Sequence, residues 1–219
     1  MMKNPDIDFF RPDHLKADIL KFCSMVTIVI FLIAAATANT TGWQTYHNEE
    51  YGFEIRYPRE YVPDQAHKTP FELSEIAESH ELPNLVSLVT FNLEDKDYLK
   101  TGFQFAYFNI AVDENEKDVS TCKALVKAGD GKTQAANGIS FRRYDLHDNA
   151  SGGQRGEGYS YLGIYNDKCF VSHGFLAYRD TRGFVDKPVY LKDAEVRRIL
   201  SSFGHMLSSL KFTDRSKAP

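Results

Sequence analysis

The chain has 219 residues, of which 42% are hydrophobic and 26% charged; this composition is typical of a folded globular domain and excludes a disordered or fibrous chain. Its formal net charge is -4 and its pI is near 6.0, and no run of Lys and Arg forms the basic stripe that nucleic-acid binding requires. We therefore expect no nucleic-acid partner.

The N-terminal part of the chain carries an uncharged segment at residues 22–38, which follows Lys16 and Lys21. A positive flank, an apolar stretch and a small-x-small sequence at 36–38 occur in the order of a secretory signal, which places the mature start near Asn39. A segment of this length also reaches the lower limit of a membrane-spanning helix, so a single uncleaved N-terminal anchor stays open beside the cleaved signal.

This segment predicts the organisation and the location of the protein. Residues 1–38 are assigned to a signal peptide or signal anchor, and residues 39–219 to one domain. The positive-inside rule keeps the basic flank in the cytoplasm, so the domain is expected in the periplasm or outside the cell. It stays anchored to the cytoplasmic membrane if the segment is not cleaved.

The first predicted element of the exported part is a β-hairpin over residues 43–58. Its second strand places Phe53, Ile55 and Tyr57 on one face and ends at Pro58, which cannot donate a ladder hydrogen bond.

Three elements follow the hairpin. Residues 71–82 have a weak helical period, and residues 85–93 predict a strand. Residues 102–112 are apolar or aromatic at both alternating sets of positions. This pattern predicts a strand in the centre of a sheet, covered on both sides.

Two helices are predicted in the second half of the domain. Asp118 is the expected N-cap of the first helix, which carries Cys122 on its apolar side and ends at Gly129. Asp193 is the expected N-cap of the second helix, whose apolar residues recur at spacings of three and four.

Three strands are predicted between these helices, starting near positions 139, 158 and 168, and a two-residue turn at Asn166-Asp167 joins the last two. A short strand at residues 210–212 comes last. Strands in runs, with helices inserted rather than alternating, favour the α+β class, an antiparallel sheet with helices on both faces.

Cysteine usage agrees with export. Once the leader is set aside, Cys122 and Cys169 form an even pair in a compartment where disulfides form. Cys122 lies on the apolar side of its helix and Cys169 on a strand that the helix can cover, so we expect a disulfide and direct contact between the two elements. Two unpaired buried thiols are the alternative.

Both ends of the exported part carry further short motifs. Residues 43–58 contain the sequence Tyr-x-Asn-Glu-Glu-Tyr-Gly-Phe, and residues 199–212 form a helix-then-strand ending. Together with the Gly-Gly-Gln loop at 152–154 and the strand around Cys169, these motifs resemble those of PsbP-like secreted domains, a widespread bacterial group. The resemblance covers residues 43–213 and implies an α/β/α sandwich around an antiparallel sheet. It implies no reaction, because the subunit of photosystem II that names the family is non-enzymatic and supports a larger membrane assembly.

Residues 142–161 are the candidate binding region. A glycine-rich loop carrying Arg155 is predicted between strands that hold Arg142, Tyr159 and Tyr161. Arg together with Tyr is typical of contact surfaces, so these four are the candidate binding residues. The alternative is a flexible hairpin connection whose strand aromatics fill the core.

Catalytic and metal-binding patterns are incomplete in this sequence. Ser160 begins like a nucleophile elbow, but Leu162 stands where the second Gly should be and the segment is a predicted strand. His80 begins like the zinc-protease motif, yet the second His is missing and Pro83 would break the helix. We expect no metal site and no cofactor.

These observations favour a non-enzymatic binding or assembly-supporting domain of the cell envelope, with an envelope protein or a small ligand as its partner. The alternative is an extracytoplasmic hydrolase whose site the sequence does not reveal. A third hypothesis is a domain with a structural role only.

Overall fold

The structure is a computed structural model that describes residues 42–65, 81–94, 98, 101–129, 131–183, 185–186 and 189–213. The predicted signal or anchor segment lies outside the described residues, and so do positions 71–80 of the first predicted helix. Within the described ranges, no helix is both long enough and apolar enough to cross a membrane.

The described residues form ten β-strands and two α-helices. In chain order these are β1 (Trp43–Asn48), β2 (Phe53–Pro58), β3 (Tyr61–Asp64), β4 (Val86–Leu93), β5 (Phe103–Asp113), α1 (Glu116–Ala128), β6 (Lys132–Ala136), β7 (Ile139–Asn149), β8 (Gln154–Tyr165), β9 (Lys168–Arg179), α2 (Asp193–Ser209) and β10 (Lys211–Phe212). The described strands pair antiparallel throughout, which together with the helices confirms the α+β class.

Seven strands form the main sheet, in the order β3-β4-β5-β9-β8-β7-β6. β5 lies between β4 and β9, and its residues from Ala106 to Asp113 are all buried. The predicted central strand is therefore confirmed, because apolar side chains on both faces need cover on both sides. The short edge strands β3 and β6 were not predicted from the sequence.

The β8–β9 hairpin confirms the predicted turn at Asn166 and Asp167. Both residues have positive φ, 47° and 54°, which is the backbone conformation that suits a two-residue turn between twisted antiparallel strands. The turn sets the register, so Tyr165 pairs with Lys168 and each earlier residue of β8 pairs with its mirror position in β9.

A second sheet has three strands, with β2 between β1 and β10. Its β1–β2 hairpin is the predicted one, and Phe53, Ile55 and Tyr57 are buried on one face as expected. The sequence did not indicate a separate sheet, because the second partner of β2 is a two-residue strand from the far end of the chain.

The helix α1 begins earlier than predicted. Its N-cap is Asn115, whose side chain accepts a hydrogen bond from the Lys117 amide, so the expected N-cap Asp118 is wrong. Asp118 instead lies in the first turn, is buried, and accepts a hydrogen bond from the Asn84 side chain at 2.7 Å. The helix ends before Gly129, as predicted.

The helix α2 also begins earlier than predicted. Asp193 is its first helical residue rather than its N-cap, which is Lys192; the Lys192 backbone amide donates to the Glu195 carboxylate at 3.0 Å. The apolar side of α2 packs into the largest core cluster, where Phe203 lies against Gly174 of β9. A Cβ added at Gly174 would come within 2.6 Å of the Phe203 ring, so the glycine permits this close approach.

A disulfide between Cys122 and Cys169 ties α1 to β9, with 2.03 Å between the sulfur atoms and 6.1 Å between the Cα atoms. The predicted bridge is confirmed. Both cysteines are fully buried in a smaller core cluster that also contains Val119, Leu162 and Val171. The helix and the strand are therefore in direct contact at this point.

Candidate functional site

The candidate binding region is built on two long paired strands rather than on a long loop. β7 runs to Asn149 and β8 starts at Gln154, so Arg155 is a strand residue that pairs with Asn149. The prediction of a glycine-rich loop carrying Arg155 is wrong. Gly152 and Gly153 have positive φ and form the turn that connects β7 to β8. The glycines that follow them in this region, from Gly156 onward, lie inside β8.

One face of β7 and β8 gathers the charged and aromatic side chains of this region. In the antiparallel register, Arg143 lies opposite Tyr161 and Asp145 lies opposite Tyr159. We refer to this surface as the β7–β8 strip. Its residues are Arg143, Asp145 and His147 on β7 with Arg155, Glu157, Tyr159 and Tyr161 on β8. Three of the four predicted binding residues thus share one face.

The fourth predicted residue, Arg142, is separated from the strip. Successive side chains of a strand point to opposite faces, so Arg142 and Arg143 serve different surroundings. The Arg142 guanidinium donates hydrogen bonds to the carbonyl oxygen of Val126 at 2.8 and 3.1 Å and to that of Gly131 at 2.6 Å. It therefore satisfies carbonyl groups at the C-terminal end of α1, which lack partners within the helix.

The centre of the strip is an ordered cluster of charge and aromatic surface. The Arg143 guanidinium lies over the Tyr159 ring, 4.3 Å from its centroid, and its Nε donates to Asp145 Oδ1 at 2.8 Å. The Lys132 ammonium donates to Asp145 Oδ2 at 2.8 Å, and this hydrogen bond is the main reason that the pKa of Asp145 is lowered. The cation–π contact with Tyr159 and the hydrogen bond to Asp145 together hold the Arg143 side chain in place.

Tyr161 is the buried residue of the strip. It is fully buried, and burial raises the pKa of its phenol above the usual range. Within the described part of the chain, its hydroxyl has no hydrogen-bond partner, and the same holds for the hydroxyl of Ser172, which lies opposite it on β9. Tyr161 therefore fills the core, as the alternative interpretation of this region expected, and lies beneath the more exposed residues.

Arg155 stands at the far end of the strip, and half of its side chain is exposed. Its Nη2 lies 3.8 Å from Asp180 Oδ2, a long contact, because Asp180 is already engaged by Arg182 through hydrogen bonds of 2.7 and 2.9 Å. The Arg182 hydrogen bond lowers the pKa of Asp180 to about 2. Arg155 thus lies between Asp180 and Tyr178, with half of its side chain open to a partner.

Beside Arg155, the hydroxyl of Tyr178 donates a hydrogen bond to the Glu157 carboxylate. Burial raises the pKa of Tyr178 to about 12, with the nearby Glu157 carboxylate as the second cause. The phenol therefore stays protonated at neutral pH and fixes the orientation of Glu157.

A row of polar residues on the opposite face of the sheet was not predicted from the sequence. The register places Ser160 of β8 beside His173 of β9, and His173 beside Asn109 of β5. All three are buried, and the Asn109 amide donates to Ser87 and Thr90 at 2.7 and 2.9 Å. The signal was available, because Ser160 and His173 are equally distant from the turn at Asn166-Asp167 that the sequence predicts.

Acidic residues near the end of β5 do not assemble into a metal site. Among the described residues, no group of three or more His, Cys, Asp and Glu side chains is arranged to hold a metal ion.

No protein-family model matches the chain, and no curated protein matches it. It is similar to a solved structure from Bacteroides thetaiotaomicron VPI-5482, with 8% identity and a TM-score of 0.45 over 80% of this chain and 50% of that chain. The chain thus spans half the length of that protein.

Two further solved structures are similar. One is the cyanobacterial PsbP (CyanoP) of Synechocystis sp. PCC 6803, with 11% identity and a TM-score of 0.43 over 81% of this chain and 96% of that chain. The other is LpqN, involved in cell envelope biogenesis of Mycobacterium tuberculosis, with 10% identity and a TM-score of 0.42 over 78% of this chain and 91% of that chain. The predicted PsbP-like resemblance is confirmed as a likeness, and at these TM-scores it carries no argument about function.

Proposed function

We propose that this protein is an exported, non-enzymatic binding or assembly-supporting domain of the cell envelope, and that the β7–β8 strip is its contact surface. The observation that carries the proposal is the Arg143 guanidinium over the Tyr159 ring, on the same strand face as the half-exposed Arg155 at the end of the strip. Arg and Tyr are enriched at protein interfaces, and side chains already held in one conformation lose little entropy when a partner binds.

The architecture supports this placement of the strip. Cys169 and Gly174 are positions of opposite parity in β9, and they contact α1 and α2 respectively. We infer that the two helices lie on opposite faces, as in the α/β/α sandwich. Phe203 of α2 packs on Gly174 of β9 and on Phe108 of β5, and α2 also contacts β8 and β6, so the strip lies on the face of the sheet that α2 packs against.

The proposed location is the periplasm or the extracellular side. A disulfide of two fully buried cysteines fits an oxidising compartment, and the uncharged segment at 22–38 fits export. Cell fractionation with N-terminal sequencing tests this, and it separates a cleaved signal with a start near Asn39 from a retained anchor. Full-length protein in the soluble cytoplasmic fraction would reject the location.

Affinity capture from envelope extracts tests the contact surface. The Arg155→Gln variant removes the half-exposed guanidinium of the strip, and Arg197→Gln makes the same change on the exposed side of α2. We expect the wild type and Arg197→Gln to capture the same partner and Arg155→Gln to lose it. Equal capture by all three would exclude the strip as the contact surface.

A hydrolase remains the second candidate because Ser160, His173 and Asn109 follow one another across three strands, in the chemical order of nucleophile, base and orienting group. Their burial argues against access by a substrate from solvent. A fluorophosphonate probe decides between the two functions. Labelling that is lost in Ser160→Ala would establish the hydrolase, whereas no labelling of Ser160 supports the binding domain.

A further inference from the structure

A cleft of about 560 Å³ opens where β7 and β8 separate. β7 pairs with β8 from Phe141 opposite Gly163 onward. Beyond this point β7 still pairs with β6, as far as Ile139, and β8 still pairs with β9, as far as Tyr165. The two hairpins therefore diverge at this end, and we refer to the space between them as the fork cleft. Its position is remote from the exposed end of the β7–β8 strip.

Because β7 and β8 diverge, some backbone N–H and C=O groups at this end do not face a paired strand and can bind a ligand. The peptide groups of a strand point alternately toward its two neighbours. At residues 139–140 of β7 and 164–165 of β8, some N–H and C=O groups therefore point into the fork cleft rather than at a paired strand. Such groups are strong donors and acceptors, and a ligand with several hydroxyl groups can satisfy them.

The described lining of the fork cleft is neutral. Ile139, Ile164 and Phe212 supply apolar surface, and the exposed Ser140 and Asn166 supply polar groups at the rim. No Lys, Arg, His, Asp or Glu side chain is among the lining residues that the structure describes. A charged ligand would lose its hydration here without meeting a counter-charge, so the lining selects an uncharged ligand.

Tyr165 provides an aromatic platform at the cleft. Its ring stacks on Phe212 with 4.1 Å between centroids and 27° between planes, and Phe212 packs edge-on against Phe170 at 4.7 Å. The partly exposed Tyr165 ring is thus supported from the core on one side. The negative face of an aromatic ring attracts the C–H groups on the apolar face of a sugar ring, which is uncharged and rich in hydroxyls.

The other wall of the cleft is held in place. Asn137 and Gly138 form the β6–β7 turn with positive φ of 46° and 86°. The Asn137 side-chain amide donates to the carbonyl oxygens of Ser208 and Leu210 at 3.2 and 2.7 Å, which fastens the turn to the end of α2. The cleft is therefore formed before a ligand arrives, as is usual for small-molecule sites.

We propose that the fork cleft binds a neutral saccharide, which stacks on Tyr165 and bonds through its hydroxyls to Ser140, Asn166 and the outward peptide groups. Its volume lies within the range of roughly 300–1,000 Å³ that small-molecule sites occupy. A peptide strand fits less well, because only two positions on each strand are open to pairing. This site does not depend on the proposed role of the strip.

Two-dimensional amide NMR of the exported domain tests the proposal. The probes are chitotriose, cellotriose and maltotriose, with trigalacturonate as the charged control and a capped, uncharged Ser-Val hexapeptide as the competing class. We expect at least one neutral trisaccharide to shift the amide signals of Ser140, Ile164 and Asn166. We expect trigalacturonate to leave these signals unchanged.

Variants make the assignment specific. Ser140→Glu places a charge at the exposed rim and should weaken saccharide binding at least tenfold, whereas Ser201→Glu on the exposed side of α2 should not change it. Tyr165→Ala should weaken binding about tenfold and Tyr165→Phe should preserve it, because stacking needs only the ring.

Binding of the peptide but of no saccharide overturns the proposal. So does the absence of shifts at these amides up to about 10 mM of each trisaccharide, or equal binding by Ser140→Glu.

Discussion

The region around the disulfide and the β7–β8 strip differ in how their polar groups are held. Around Cys122 and Cys169 the helix α1 is fixed by a covalent bond, and Asp113 and Asp118 are buried beside it. The strip has charged side chains that are one quarter to one half exposed and that pair across its surface. Buried and covalent contacts contribute strongly to stability, while exposed ion pairs contribute little. Substitutions in the strip should therefore cost less stability than substitutions around the disulfide.

Among the substitutions in the two regions, removal of the disulfide should cause the largest loss of stability. Cys122→Ser should lower the free energy of unfolding by about 4 kcal/mol under oxidising conditions, because the bridge joins residues 47 positions apart and restricts the unfolded chain. Urea unfolding measures the change. Reduction of the wild type should bring its stability close to that of the variant, and a loss that persists in full after reduction would contradict the role of the cross-link.

The neighbouring residues Arg142 and Arg143 compare the two surroundings directly. Arg142→Ala should cost about 2 kcal/mol, because carbonyl groups at the end of α1 lose a charged donor. Arg143→Ala should cost about 1 kcal/mol or less, because it removes one cation–π contact and one surface ion pair. Urea unfolding of both variants checks this, and equal losses would show that the strip is as important for stability as α1.

The two regions should also respond to pH in opposite directions. Burial, reinforced by the Asp118 carboxyl, raises the pKa of Asp113 above 3.8, so the folded state holds a proton that the unfolded state releases. Its contribution to stability is present below 3.8 and is lost as pH rises through the folded pKa. Near Arg155, the lowered pKa of Asp180, about 2, gives a contribution that is present above 3.8 and lost as pH falls through 2.

Unfolding measured as a function of pH checks these signs. Asp113→Asn should flatten the loss of stability above pH 3.8, and Asp180→Asn should flatten the loss below it. If Asp113→Asn left the slope unchanged, the buried carboxyl would not be its source.

The smallest effect on stability is expected for Arg155→Gln. Its ion pair with Asp180 is long and its side chain is half exposed, so the free energy of unfolding should change by less than about 0.5 kcal/mol. Arg197→Gln serves as the matched control, and thermal unfolding of both measures the difference. A large loss for Arg155→Gln alone would mean that the strip supports the fold.

The sequence predicted the parts of the fold that depend on local signals. The turn at Asn166-Asp167, the central strand β5 and the pair Cys122 and Cys169 each have a local pattern, and each is confirmed. The predicted N-cap was three residues late for α1 and one residue late for α2, because the polar residues near each start give no local signal that selects one of them. The pairing of β10 with β2 escaped prediction because it is long-range.

Within the candidate site, the composition of the region was predicted and its arrangement was not. Arg142 and Arg143 are identical in type and adjacent in sequence, and only the strand register shows that one serves α1 and the other the strip. Tyr159 and Tyr161 were expected together and do lie on one face, but their different depths depend on how α2 and the second sheet cover the core.

Site-specific photocrosslinking in intact cells tests most directly whether the β7–β8 strip contacts a partner. A benzophenone side chain is placed in turn at position 155, on the strip, and at position 197, on the exposed side of α2. We expect one discrete adduct with an envelope component from position 155 and none from position 197, while both proteins remain folded and disulfide-bonded. Adducts of equal yield from both positions, or none from position 155, would contradict it.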